Sequence, residues 1–313
     1  DRPTPKKILD FIKEAADNTA NHTYPIGKGS TVFKQAVVKW MSKRFGVTVN
    51  DSEVMALIGA KDGITHLPLA FVNPGDVVLI PDPAYPGYTS GTILSGGTPY
   101  YIPLKESNGF LPDLDTIPEK VYKKAKIMHL NYPNNPTSAV ATPEFYGEVV
   151  RFAKEYDIIV CQDAAYSEVT FDGYDSPSFL SVPGAMDIGI EMHSLSKTYN
   201  MTGWRAGFAI GNADILNPLN KIKSNIDSKQ FPAVMAAGAY ALKNMDGNPA
   251  TLAIYRKRRD ILIDGLNAAG WNLEKTKATL YVWAPVPRGY TSIEFAKDML
   301  EKAGVLVVPG VGY

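Results

Sequence analysis

The chain has 313 residues, 45% hydrophobic and 20% charged, and its 32 Lys and Arg balance 32 Asp and Glu to a formal net charge of zero. That composition fits a soluble globular protein long enough for two domains, and the balance offers no basic field for nucleic acid or an anionic membrane. A lone Cys161 rules out an internal disulfide, and no apolar run nears the ~18 residues of a membrane span.

In chain order, short β-branched runs alternate with longer amphipathic stretches. Strands are expected at 55–58, 77–80, 100–103, 127–130, 158–161, 188–192 and 206–210. Most are apolar throughout, which is how strands covered on both faces read. Helical patterns fall at 32–45 behind a cap at Ser30, at 64–72 and at 143–156. Together these predict an α/β domain with a mostly parallel sheet flanked by helices. A long helix over 249–269 closes at Gly270, and an alternating strand (278–283), a helix (292–302) and an apolar run (305–308) follow. That tail reads as a smaller α/β unit. The Pro-rich opening and the final Pro309-Gly310-Val311-Gly312-Tyr313 both read as cuts through a longer protein. Asp1 opens no signal-peptide pattern, so a reducing, cytoplasmic setting is expected. Cys161 reads as a buried strand residue. His22, His66, His129 and His193 have no metal-ligand spacing, and no metal site is expected.

Sites in doubly wound sheets form beyond the carboxyl ends of the strands, so the residues after each run matter most. The first run is followed by Gly59-Ala60-Lys61-Asp62-Gly63, a strand-to-helix turn whose amides suit a phosphate, or simply a turn. The second is followed by the rigid Pro81–Tyr88 stretch, where Tyr85 either lies flat on a planar ligand or packs. Asn131-Tyr132-Pro133-Asn134-Asn135-Pro136-Thr137-Ser138 follows the fourth, and a bland loop is an equal reading. Asp163 directly ends the fifth. An ionised acid buried there needs a positive partner, such as a protonated ring nitrogen, unless it caps the next helix. After the sixth comes Ser194-Leu195-Ser196-Lys197, with Arg205 eight positions beyond the lysine. A lysine at a buried strand end has a lowered pKa and a reactive amine, and Ser194, Ser196 and Arg205 are donors for a phosphate dianion.

In this order, the segments resemble the class I/II pyridoxal-phosphate-dependent aminotransferases, of fold type I, over essentially the whole chain. The resemblance implies pyridoxal 5'-phosphate as cofactor and amino acids and 2-oxo acids as substrates. Lys197 then resembles the Schiff-base lysine that also moves the substrate proton, and Asp163 the partner of the ring nitrogen. Asn135 and Tyr166 resemble the pair on the ring oxygen, Tyr85 the stacking aromatic, and Ala60, Lys61, Ser194, Ser196 and Arg205 the phosphate cup. Tyr24 matches a tyrosine supplied by the neighbouring subunit, which implies a homodimer with shared sites, and Asn225 lies in a further segment of that kind. The large cofactor-binding domain would cover 20–255, and the small domain 1–19 with 256–313. Ser138 departs from the family's usual glycine and touches none of these roles. The family's carboxylate-binding arginine would lie beyond Tyr313. Residues 194–207, 223–228 and 278–283 look most like LL-diaminopimelate aminotransferases. Aspartate, alanine and aromatic aminotransferases, and carbon–sulfur lyases, share the same motifs.

Overall fold

The computed structural model describes residues 2–25 and 27–313. Seven strands form one sheet: β1 (Val54–Leu57), β2 (Val77–Asp82), β3 (Thr98–Pro103), β4 (Ala125–Asn131), β5 (Ile159–Asp163), β6 (Gly189–Ser194) and β7 (Gly207–Gly211). Their order is β1-β7-β6-β5-β4-β2-β3, with β7 antiparallel to both neighbours and the remaining pairs parallel. All seven expected strands are present, shifted by a residue or two at their ends.

The helices are α1 (Lys6–Asp17), α2 (Thr31–Phe45), α3 (Ala60–Phe71), α4 (Gly87–Leu94), α5 (Glu119–Tyr122) and α6 (Pro143–Tyr156), followed by α7 (Ala185–Ile188), α8 (Leu195–Thr198), α9 (Ala213–Ile226), α10 (Pro232–Asn244), α11 (Pro249–Ala268) and α12 (Ser292–Ala303). Ser30 caps α2 by accepting from Phe33 N, and Gly46 closes that helix in the left-handed region at φ +67°. Thr142 caps α6 with Pro143 in its first turn, where the missing N–H costs nothing.

Successive side chains along each strand go to opposite sides, and in the strands other than the half-exposed edge strand β3 both sides are largely apolar. Val54, Ala56, Val77, Leu79, Phe208 and Ile210 join the layer under α2, α6 and α10. Met55, Leu57, Val78, Ile80, Cys161 and Ala209 join the layer under α3, α4 and α9. Double coverage is why these strands carry no polar alternation. α1 lies on α10, and its Ile8 belongs to the first layer.

The tail corrects one expectation. Neither 278–283 nor 305–308 is a strand; the first makes an isolated bridge between Ala278 and Thr170. Thr279 sits at φ +72°, which breaks the extended run. The apolar 305–308 run leaves Leu306 79% exposed, so no neighbouring sheet covers it among the described residues.

A fully buried cation ties two helices of the second layer. Lys223 Nζ on α9 lies 2.6 Å from Asp62 Oδ2 and 2.6 Å from Asp227 Oδ2. Asp62 stands in the first turn of α3, where it also accepts from Ile58 N at 2.9 Å. Burial pushes the Asp62 carboxyl up, but the close approach of His66, the Lys223 ammonium and the Ile58 amide outweigh burial and leave it below the usual range. His66 Nδ1 is 2.8 Å from Asp62 Oδ1, off the line of a proper hydrogen bond. Asp62, His66 and Asp227 could group around a metal ion, but the Lys223 ammonium already fills the cation's place. Lys223→Met should therefore cost about 3–5 kcal/mol in denaturant unfolding, the usual cost of stranding a buried partner. The share due to Asp62 should be present above about pH 4, its ordinary range, and vanish as pH falls through its lowered value.

Candidate active site

Strand register brings the candidate residues to one edge. Asn131 on β4 is level with Asp163 on β5, and Asp163 with Met192 on β6. One step further on, Ser194 faces Gly207, which in turn faces Leu57 of β1. The loops that follow β4, β5 and β6 and the start of α3 therefore emerge side by side.

Asp163 is buried, and burial raises its carboxyl to about 6. Two donors hold it in place: Tyr88 OH at 3.0 Å to Oδ2, and Ala165 N at 3.2 Å to Oδ1. No helix follows, so the capping alternative reduces to this single turn contact. Tyr88 is fully buried and stacks on His129 with ring centres 4.7 Å apart. Burial drops His129 to about 3, which keeps it a neutral plate. Tyr85 lies at 76° to Tyr88, and a Cβ on Gly87 would stand 2.6 Å from the Tyr85 ring, so that glycine makes room for it.

The loop after β4 is built on its own amides. Asn131 Nδ2 donates to Asp163 O at 2.8 Å, and Asn131 Oδ1 accepts from Asn135 N at 2.7 Å. Asn134 Oδ1 accepts from Thr137 N and Thr137 Oγ1. What remains is Asn135 Oδ1, buried without a hydrogen-bond partner. Tyr166 is buried in the next loop, with Lys197 Nζ 5.9 Å from its ring centre. Burial, and then the charge of Arg205, lower the Lys197 ammonium below its ordinary range.

Arg205 is held at φ +56°, donating to Thr202 O at 2.9 Å and Ile58 O at 3.0 Å. Its guanidinium thus faces the start of α3, where Gly59 sits at φ +101° and a side chain would strike Arg205 Nη2. A Cβ on Gly207 would lie 2.6 Å from His193 O and 3.3 Å from Ala60 N. Ser194 and Ser196 are buried beside this corner, with Ser196 N donating to Ser194 Oγ. The Ala60 and Lys61 amides open α3 there, four residues earlier than the sequence pattern placed its helix.

Tyr24 and Asn225 are not brought to this edge within one chain. Tyr24 is 82% exposed and lines a separate groove with residues 228–232, and Asn225 donates to Lys221 O on the outside of α9. Sequence reading missed three residues. These are Tyr88, the donor to Asp163; Tyr281, whose hydroxyl lies 2.5 Å from that of Tyr166; and Ser138, which bonds to the 279–281 segment. Only the Ser138 departure from the motif was a visible signal.

These groups fit pyridoxal phosphate. A buried acid without a cation and a lysine whose pKa is lowered share this edge with an arginine and a helix N-terminus suited to phosphate. With a carboxyl value near 6 against about 3.9 unfolded, ionised Asp163 costs the cofactor-free protein about 3 kcal/mol above that pH and nothing below about pH 4. Asp163→Asn should then stabilise the cofactor-free protein at about pH 8 but not at about pH 4. Denaturant midpoints at the two pH values check this.

The family described as aminotransferase class I and II matches residues 1–313. An LL-diaminopimelate aminotransferase of Moorella thermoacetica is 55% identical over all of this chain and 81% of its own length, and one of Aquifex aeolicus is 51% identical with the same coverage. Among solved structures, apo-BacF from Bacillus subtilis superposes with a TM-score of 0.94 at 39% identity, over 99% of this chain and 83% of that one. A probable N-succinyldiaminopimelate aminotransferase from Thermus thermophilus gives 0.92 at 33%, over 100% and 84%. The chain therefore belongs to the class I and II aminotransferases, fold type I enzymes that work with pyridoxal phosphate.

Proposed function

We propose that this aminotransferase is an LL-diaminopimelate aminotransferase of lysine synthesis, moving nitrogen between glutamate and tetrahydrodipicolinate through the strand-edge site. The observation that supports the site most is the burial of Asp163 without a counter-charge at the sheet edge from which the loops carrying Asn135 and Lys197 also emerge. The preference for diaminopimelate rests on relatives of that name, 47–55% identical over the whole chain.

When bound, the cofactor supplies a protonated ring that takes up the electron pair left as the substrate Cα loses its proton. Asp163 accepts from the ring nitrogen and keeps its proton in place, which ends the cost of its own burial. Asn135, through its Nδ2, and Tyr166 would donate to the ring oxygen, and Tyr85 would cover a ring face. The Ala60 and Lys61 amides, Ser194, Ser196 and Arg205 bind the phosphate. Lys197 would hold the cofactor through its amine and, when released, would take the proton from the substrate Cα. Burial and the Arg205 charge lower its pKa, the direction that both roles need.

The reading extends to a cytoplasmic homodimer with shared sites. Tyr24 and the 42%-exposed Phe231 line one groove, and a second copy covering it would carry Tyr24, with the Asn225 segment, to the partner's phosphate. The division into 20–255 against 1–19 with 256–313 belongs to the same reading. α12 has no buried residue, in keeping with a lightly packed second unit, although α1 is fastened to the larger body.

In a donor panel with 2-oxoglutarate, LL-diaminopimelate should exceed aspartate, alanine and aromatic amino acids in kcat/KM by about tenfold or more, ~1.4 kcal/mol of transition-state preference. A flat panel would reduce the reading to a general aminotransferase, and release of ammonia without an acceptor would mark a lyase. For the shared site, Tyr24→Ala and Lys197→Ala proteins, each inactive, should regain activity when unfolded together and refolded, because mixed dimers hold one intact site. Absence of recovery beside well-refolding controls would defeat the dimer assignment.

A further inference from the structure

The segment 277–281 lies across both loops that would hold the cofactor ring. Thr279 N donates to Val169 O at 2.8 Å, and Phe171 N donates to Lys277 O at 2.8 Å, so it is fastened to the chain just after Tyr166. Ser138, in the loop that carries Asn135, reaches it from the other side. Ser138 Oγ lies 2.5 Å from Thr279 Oγ1 and 2.8 Å from Tyr281 O, and Tyr281 N donates to Thr279 Oγ1 at 3.2 Å.

The direction of these bonds follows from counting protons. A carbonyl only accepts, so Ser138 gives its one hydroxyl proton to Tyr281 O. Thr279 must then donate to Ser138, and its own oxygen accepts from Tyr281 N. The three bonds form a closed ring, each polarising the next. Both hydroxyl residues hold left-handed backbones, Ser138 at φ +62° and Thr279 at φ +72°, and both are buried. A β-branched residue in that region is a genuine outlier, and it persists because the surroundings over-determine it.

From this geometry we infer that Ser138, Thr279 and Tyr281 are positioning residues, a clasp that holds the Asn135 loop against Tyr166 and makes Tyr281 the donor to the Tyr166 hydroxyl. The inference rests on the role proposed above for Tyr166. If Tyr166 gives its single proton to the ring oxygen, the 2.5 Å contact with Tyr281 is satisfied only when Tyr281 donates. Accepting that proton makes Tyr166 the stronger donor. A stronger donor on the ring oxygen lowers the pH at which the Lys197-bound cofactor gives up its proton and changes colour.

The test is a visible-absorbance pH titration of the purified holoenzyme without substrate, with melting of each cofactor-free protein as a folding control. Tyr166→Phe should move the colour change to higher pH. Tyr281→Phe should move it the same way by a smaller amount, and so should Thr279→Val, which keeps the branched shape and removes the hydroxyl. Thr279→Ser, which restores the hydroxyl, should return it to the parent value. If Tyr166→Phe shifts the titration while Tyr281→Phe and Thr279→Val leave it unchanged, the clasp is refuted and the role of Tyr166 stands. If Tyr166→Phe itself causes no shift, the site assignment fails, and the clasp with it.

Discussion

A carboxylate buried at the end of a parallel strand is costly until a positive group meets it, and the architecture around Asp163 is arranged to sustain that cost. β5 is covered on both faces, so Asp163 cannot turn to solvent. Tyr88 and the Ala165 amide give it two hydrogen bonds but no charge. Beneath Tyr88, neutral His129 offers a flat surface with both ring nitrogens unpaired. The acid is therefore held rigidly while remaining short of a counter-ion, the state a protonated ring nitrogen completes.

Asp62 makes the comparison instructive. It too is buried near the carboxyl edge of the sheet, yet Lys223 and His66 bring it below the ordinary carboxylate range, while burial takes Asp163 up to about 6. The difference separates an acid whose charge is already answered within the fold from one whose charge is not. Asp62 fixes the first turn of α3 to α9, and through Ile58 N it steadies the turn against which Arg205 rests. The corner between Arg205 and the start of α3 thus inherits its rigidity from a buried charge pair.

The strands were legible in the sequence because double coverage leaves short, largely apolar runs, a local signature. Ser30 and Pro143 marked their helices by capping chemistry that is also local. Asp163 and Lys197 stood out because a charged residue directly after such a run has few innocent explanations. Tyr88 and Tyr281 gave no such signal. Tyr88 meets Asp163 across 75 residues and Tyr281 meets Tyr166 across 115, and only tertiary packing brings them together. Nothing near Lys223 in sequence reveals that its ammonium will be wholly enclosed.

The misread strand at 278–283 shows how one pattern can have two physical causes. Alternation of apolar and polar residues normally means a sheet with one wet face, but here Ala278 and Thr279 are both buried and Leu280 is exposed, so burial does not follow the alternation. The backbone turns left-handed at Thr279 instead of continuing extended. The groups an edge strand would offer to a neighbour are taken up elsewhere: Thr279 N by Val169, Tyr281 O by Ser138, and Tyr281 N by the Thr279 hydroxyl. A serine where the motif usually has glycine supplies the hydroxyl that closes this ring. At Ser138 and Thr279 the sequence departs from local preference on both sides of one contact. Paired departures of that kind are expected where tertiary demands override propensity at a working site.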